Sequence, residues 1–241
     1  MRWIVGDIHG CLEQLDHLLE TIGFRPGEDE LWSAGDMIGR GPDPAGVLRR
    51  IRELGGRAIL GNHEVGAFMT WSGLREKRSP ALEPLYTAAD AGDLFDWIRD
   101  LPVLVHLPAG NGSREAWLVH GGLRPNWADL AAVAARLNQV PRSPDAFRSD
   151  ELMFAAFVRC CTPEGEYVRF SGLPDDCPEG TRPWDDYYQG STLVVHGHWG
   201  MRGHYRTGSI LGLDSGCVYG GRLTAWCQDT DRVVQVPGLA G

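Results

Sequence analysis

Five short apolar runs in this chain each stop at a glycine-flanked cluster of side chains able to hold a metal ion or a phosphate. Trp3-Ile4-Val5 leads into Gly6-Asp7-Ile8-His9-Gly10, and Leu31-Trp32-Ser33-Ala34 into Gly35-Asp36-Met37-Ile38-Gly39-Arg40-Gly41-Pro42. Ala58-Ile59-Leu60 leads into Gly61-Asn62-His63-Glu64, Trp117-Leu118-Val119 into His120-Gly121-Gly122, and Leu193-Val194-Val195 into His196-Gly197-His198-Trp199. A buried strand is a stiff platform, and a glycine beside each polar residue lets the backbone turn sharply and approach a small ion. In layered α/β folds the carboxyl ends of the strands open on one crevice, the usual place for a ligand. Five such ends meeting there gather Asp7, His9, Asp36, Asn62, His120 and His198. Mixed oxygen and nitrogen donors suit divalent Mn, Fe, Co or Zn better than Ca or Cu(I). Six ligands are too many for one tetrahedral zinc and fit two ions roughly 3.5–4 Å apart that share a carboxylate. Taken singly, each fragment reads as an ordinary turn or a satisfied core histidine; it is their repetition after apolar runs that points to a site.

The surrounding pattern fits an α/β fold with an α+β-like second half. Strands over 2–5, 31–34 and 57–60 alternate with helices: a Leu12, Leu15, Leu18, Leu19 stripe, a helix over 45–54 behind Pro44, and another from Glu64. That order implies right-handed βαβ crossovers and a largely parallel first sheet. Strands over 103–107 and 116–119 flank a glycine-rich turn at 109–113, and helices follow over 128–137 and 150–158. The strands at 192–195, 209–213, 222–227 and 232–236 read as a second, more antiparallel sheet. Residues 162–190, rich in Pro, Gly and Asp, read as a functional cap or loop. The expectation is one domain over 1–241: two packed sheets, helices outside, and a cap segment.

Charge excludes some functions. With 23 basic and 32 acidic side chains the net charge is −9, so the chain has no general attraction for DNA or an anionic membrane. Positive charge for handling phosphates must be local, from metal ions or placed arginines. No apolar run approaches the roughly 18 residues a membrane span needs, and the N-terminus turns acidic too early for a signal peptide. A cytoplasmic enzyme with reduced thiols is expected. Its six cysteines, Cys11, Cys160, Cys161, Cys177, Cys217 and Cys227, are too sparse for a disulfide scaffold and form no CxxC pair for zinc, and the adjacent Cys160-Cys161, where a disulfide would be strained, reads as structural. The charged loop at 74–81, with Arg75, Glu76, Lys77 and Arg78, reads as solvated or as a distal phosphate contact.

From Gly6 to about Trp226 the ordered motifs GD-x-HG, GD-x-x-x-RG, GNHE, HGG and GH resemble the calcineurin-like metallophosphoesterases. The resemblance is to the branch that holds Ser/Thr protein phosphatases and symmetrical dinucleoside tetraphosphatases. It implies that Asp7 and His9 hold one ion, that Asp36 bridges, and that Asn62, His120 and His198 complete the shell of the second ion. It further implies that His63 is the general acid and that Arg40 clamps phosphate oxygens. Two cations of this kind acidify a water for in-line attack on phosphorus, and manganese is the first choice, with cobalt, iron or zinc as alternatives.

Within that branch, Gly39 stands where protein phosphatases usually carry the Asp that orients the catalytic histidine. Gly41-Pro42, Phe170-Ser171-Gly172, Trp184 and the stretch from Leu213 to Thr224 are similar to bacterial diadenosine tetraphosphatases. Arg159 is similar to an arginine of that family that clamps a second phosphate; the alternative is a solvated helix-end arginine. Glu64 departs from the more usual Asp, and the chain is shorter than is usual there. The resemblance implies cleavage of the central bridge of diadenosine tetraphosphate to two ADP. RNA 5′ ends capped by a dinucleoside polyphosphate offer the same bond. The alternative activity is a Ser/Thr or Tyr phosphoprotein phosphatase; a metal-binding module without turnover is disfavoured by the complete ligand set. Trp127, Trp184, Tyr187, Tyr188 and Tyr219 are candidates for adenine stacking or for packing in core and cap, and His196 for a partner of, or addition to, the ligands.

Overall fold

The computed structural model describes residues 1–76, 79–110 and 112–240, so Lys77 and Arg78 of the charged loop and Asn111 of the glycine-rich turn lie outside the described residues. In chain order the strands are β1 (Arg2–Val5), β2 (Glu30–Ser33), β3 (Arg57–Ala58), β4 (Leu104–Leu107), β5 (Ala116–Val119), β6 (Cys160–Cys161), β7 (Tyr167–Val168), β8 (Arg182–Pro183), β9 (Leu193–His196), β10 (Tyr205–Thr207), β11 (Ile210–Gly212), β12 (Arg222–Cys227) and β13 (Arg232–Pro237). The α-helices are α1 (Leu12–Ile22), α2 (Pro44–Glu53), α3 (Asn62–Trp71), α4 (Glu83–Tyr86), α5 (Ala91–Asp100), α6 (Leu130–Leu137) and α7 (Asp150–Phe157).

Two five-stranded sheets carry the fold, in the orders β13-β12-β1-β2-β3 and β10-β11-β9-β5-β4. Strands β1, β2 and β3 run parallel, as do β5, β9 and β11. Antiparallel strands flank these triplets: β12 and β13 on one sheet, β4 and β10 on the other. Here the sequence expectation needs correction. The C-terminal strands do not form one antiparallel sheet; 222–227 and 232–236 extend the first sheet, while 192–195 and 209–213 lie parallel to β5 in the second. Apolar patterning reports which face of a strand is buried, and it carries no label for the neighbour.

Side-chain alternation splits the core in two. Ile4, Trp32, Leu118, Val195 and Leu211 fill the space between the sheets. Trp3, Val5, Val119 and Val194 point the other way, into the core shared with the helices. Because the inner strands are covered on two faces they read as continuous apolar runs. Helix α1 buries Leu15, Leu18, Leu19 and Ile22 and ends at Gly23, whose φ of 62° suits a left-handed cap. Helix α2 starts with Asp43 Oδ1 accepting the Gly46 N–H at 2.7 Å and with Pro44 in its first turn.

The 162–190 segment is partly ordered into strands: β7-β6-β8 make a three-stranded sheet, and 3-10 turns follow at Pro174–Asp176 and Trp184–Tyr187. It is fastened by a disulfide between Cys160 and Cys177, whose Cα atoms are 5.9 Å apart. That corrects the expectation of reduced thiols throughout. The partner of Cys160 is not its neighbour Cys161 but a residue 17 positions on, brought back by the cap's own fold. Among the described residues no helix is long and apolar enough to cross a membrane.

Gly61, between β3 and α3, has no room for a side chain. A Cβ there would overlap the backbone nitrogen and Oδ1 of Asp36, and backbone cannot swing aside as a flexible side chain does. Gly61→Ala is expected to cost about 1–3 kcal/mol by overpacking; denaturant unfolding with an unchanged midpoint would contradict this close approach.

Candidate active site

Every one of the six candidate ligands lies just past the carboxyl end of a parallel strand. Asp7 and His9 follow β1, Asp36 follows β2, Asn62 follows β3, His120 follows β5 and His198 follows β9. The two parallel triplets thus feed one cleft from opposite sides. Glu64, in the first turn of α3, binds the cleft's loops together. Its Oε2 accepts the N–H groups of Asp36 (2.8 Å) and Gly61 (2.9 Å), and its Oε1 accepts that of Ile38 (3.1 Å). Asp36 Oδ1 in turn accepts the His63 N–H at 2.9 Å. Asp7 accepts the His198 N–H with both oxygens, each at 3.1 Å, which joins the first sheet to the second.

Asp36 is the centre of the cluster. His120 Nε2 stands 3.4 Å from its Oδ1, and His9 Nε2 and His63 Nε2 stand 3.7 and 4.0 Å from its Oδ2. His9 Nε2 is also 3.9 Å from Asp7 Oδ2. Asn62 Oδ1 is 2.7 Å from His198 Nδ1 and 3.2 Å from His120 Nε2. The ligand atoms of Asp36, His120 and His198 all fall within 4.8 Å of one another, as do those of His9, Asp36 and His63.

The far nitrogens of the three candidate-ligand histidines bear on what the near ones can do. His120 Nδ1–H donates to Ala34 O at 2.8 Å, His9 Nδ1–H to Ile38 O at 3.2 Å, and His198 Nε2–H to Phe157 O at 2.9 Å. A ring nitrogen that donates fixes the tautomer and leaves the other with a lone pair. Three nitrogen lone pairs therefore converge on the oxygens of Asp36 and Asn62. Such contacts are satisfied by a proton, which Asp36 favours on His120 by raising its pKa against burial, or by cations, and the donor set fits a pair of divalent ions sharing Asp36.

The backbone is strained at the same residues. Among the described residues, positive φ outside glycine occurs at His9 (52°), Asp36 (49°), His198 (70°) and Asp231 (54°), and the first three are candidate ligands. Such conformations cost on the order of 1–3 kcal/mol each and gather at functional sites. Electrostatics agrees. Burial would raise the Asp36 carboxyl, but His120, His63 and His9 hold it well below the usual range. Burial, then Asp214 and Asp36, push Asp7 up. Burial lowers His198, helped by Arg159 and His120, and lowers His63 to about 4 against the pull of Asp36.

A cavity of about 1010 Å³ opens over the cluster. Arg40 and Arg159 both line it, as sequence suggested, and so does Arg169, which it did not. Arg159 is anchored by bonds to His198 O (2.8 Å) and Phe170 O (3.1 Å), which replaces the picture of a solvated helix-end arginine. Arg40 is exposed, with its guanidinium 5.7 Å from the centre of the Tyr219 ring. The cap supplies one wall from Tyr167 to Gly172. Of the five aromatic candidates only Tyr219 reaches this cavity. Trp184 is buried against His196, and Trp127, Tyr187 and Tyr188 line a separate cavity of about 550 Å³. His196 bonds Tyr205 through Nε2 (2.8 Å) and lies outside the ligand cluster.

Sequence reasoning overlooked Glu64 as a tie and Asp214 altogether. Asp214 follows β11 and lines the cavity. Its signal was present: Leu211-Gly212-Leu213 runs into Asp214-Ser215-Gly216, the same apolar-run-then-acid pattern as the other motifs.

Comparison with known proteins agrees with this geometry. The calcineurin-like phosphoesterase profile matches residues 2–202, and the chain belongs to that family. It is 33% identical over 270 residues to the symmetrical bis(5′-nucleosyl)-tetraphosphatase of Baumannia cicadellinicola, covering 98% of this chain and 92% of the relative. It is 34% identical to the protein of the same name from Thioalkalivibrio sulfidiphilus, over 92% of this chain and 93% of that one. A crystal structure described as a candidate diadenosine tetraphosphatase superposes with a TM-score of 0.76 at 30% identity, covering 100% of this chain and 94% of that one. A serine/threonine phosphatase from Saccharomyces cerevisiae shares the fold, with a TM-score of 0.58 at 17% identity.

Glu64→Gln supplies one acceptor oxygen where the carboxylate offers two. It is expected to cost about 1–3 kcal/mol and to weaken metal binding about 10–100-fold; unfolding curves and metal titration that match the parent would contradict the tie.

Proposed function

We propose that this protein cleaves the central phosphoanhydride of diadenosine tetraphosphate to two ADP at a dinuclear centre of divalent ions, manganese first, with cobalt, iron or zinc able to substitute. Asp7 and His9 hold one ion, Asn62, His120 and His198 the other, and Asp36 both. When bound, the ions supply an acidified water and neutralise charge on the transferred phosphoryl group. Arg40 and Arg159 would bind phosphate oxygens through their planar forks, and His63, its Nε2 4.0 Å from Asp36 Oδ2, would serve the leaving oxygen. A cavity of about 1010 Å³ suits a ligand much larger than one phosphate.

The observation that carries the choice of substrate is the setting of His63. Residue 39 is glycine, and the place its Cβ would take lies 3.1 Å from His63 Nδ1. No acidic side chain can reach back from there, and a Cβ would also overlap His9 Nδ1. With burial holding it near 4, His63 is neutral around pH 7. A neutral imidazole is a weak proton donor to an alkoxide leaving group. A departing ADP needs far less help, since its terminal phosphate takes a proton only near about pH 6. The arrangement therefore favours a bond between phosphates over a phosphoserine ester. A 5′ RNA cap built on a dinucleoside polyphosphate presents that same bond, so decapping extends the reading. A cytoplasmic setting goes with it.

The test is a product profile. Metal-stripped protein restored with Mn²⁺ is given diadenosine tetraphosphate and a phosphopeptide together, and products are separated by anion exchange. ADP as the sole nucleotide product supports the reading. ATP with AMP, or phosphate from the peptide with the dinucleotide intact, overturns it. Asp36→Asn should abolish turnover and lower the content of both ions. His63→Ala should keep the metal content and lose about 10²-fold in rate, the low end of acid–base effects; equal metal loss in the two variants would contradict the separate roles.

A further inference from the structure

We propose that Asp214 is an additional carboxylate partner of the ion held by Asp7 and His9. This rests on the two-ion reading above. In that reading the ligands are uneven: Asp36, Asn62, His120 and His198 serve one ion, and only Asp7, His9 and Asp36 the other. Asp214 is placed to even them.

Its position follows from topology. Strand β11 is the third member of the parallel triplet in the second sheet, so the loop after its end, which carries Asp214, enters the cleft as those after β5 and β9 do. Asp214 is 6% exposed and lines the same cavity. Its Oδ1 accepts the Gly216 N–H at 3.0 Å, and Gly216 adopts a φ of 71° that favours glycine. Across the cleft, Gly200 leaves space for the carboxylate: a Cβ there would lie 3.1 Å from both Asp214 oxygens. The Asp214 side chain meets that of Asp7, with His9, Asp36 and Arg159 close enough to act on it. Buried carboxyl groups set against one another are expensive unless a shared proton or a cation lies between them, and a bound cation would take the proton's place. Asp7 and Asp214 meet side chain to side chain, and His9 lies near enough to act on Asp214.

A purely structural role is the competing explanation, since Asp214 also anchors its turn through Gly216. Two variants separate the roles. Asp214→Asn keeps an oxygen for the Gly216 N–H and removes the charge, whereas Asp214→Ala removes both. The measurement is titration of the metal-free protein with Mn²⁺ by calorimetry, with electron paramagnetic resonance to report spin coupling between ions. The parent should bind two ions that couple. Asp214→Asn should bind one ion with unchanged affinity and the other about 10–100-fold more weakly, giving an uncoupled six-line signal at substoichiometric Mn²⁺. Two coupled ions at parental affinity in Asp214→Asn would overturn the proposal, whatever Asp214→Ala does. A parent that binds fewer than two ions would overturn the two-ion reading itself, and this inference with it.

Discussion

The cleft depends on where one buried carboxylate spends its two oxygens. Glu64 is wholly buried and accepts three backbone N–H groups, from Gly61, Asp36 and Ile38. Burying a carboxylate is costly unless its lone pairs are met. Burial and the nearby Asp36 push this one up to about 7, against the pull of the Ile38 and Asp36 amides. The three amides belong to two different loops, so satisfying Glu64 locks the loop after β2 onto the start of α3. Asp36 can then stand at the head of that helix and accept the His63 N–H. The left-handed turn at Asp36 follows from the same lock.

From that fixed point the rest of the site is assembled by topology. Parallel strands deliver their following residues to one edge, and this fold aims two such triplets at each other. Backbone carbonyls then choose histidine tautomers: Ala34 for His120, Ile38 for His9 and Phe157 for His198. The outcome is a cleft crowded with oxygen and nitrogen donors and with left-handed φ values at three of the candidate ligands, a setting that bound cations would fit. The net charge of −9 is compatible with the proposed polyphosphate substrate, because positive charge is needed only within this cavity.

Much of this was legible from the chain. Strands β1, β5 and β12 begin and end where apolar patterning predicts, because each is buried on two faces and bounded by a turn. All six candidate ligands were readable because each follows such a run beside a glycine. Other features were not. Strand β3 stops at Ala58, short of the predicted Leu60, since Leu60 N–H turns to Pro102 O instead of a strand partner. Sheet membership of β12 and β13, and the Cys160–Cys177 pairing, depend on which segments meet, and period-two alternation does not encode that. Helix α5 and strand β10 went unread. Glu64 was read as a departure from a motif, while its worth lies in amides of another loop that only the fold brings near.

The central claim is that Asp36 is shared by two ions lying between the loops that Glu64 ties and the histidines of the second sheet. Anomalous diffraction from crystals of the Mn²⁺-loaded protein addresses it most directly. The account predicts two peaks roughly 3.5–4 Å apart, both at ligand distance from the Asp36 carboxylate, one beside Asp7 and His9 and the other beside Asn62, His120 and His198. A single peak at full occupancy, or two peaks with Asp36 bound to only one of them, would contradict it.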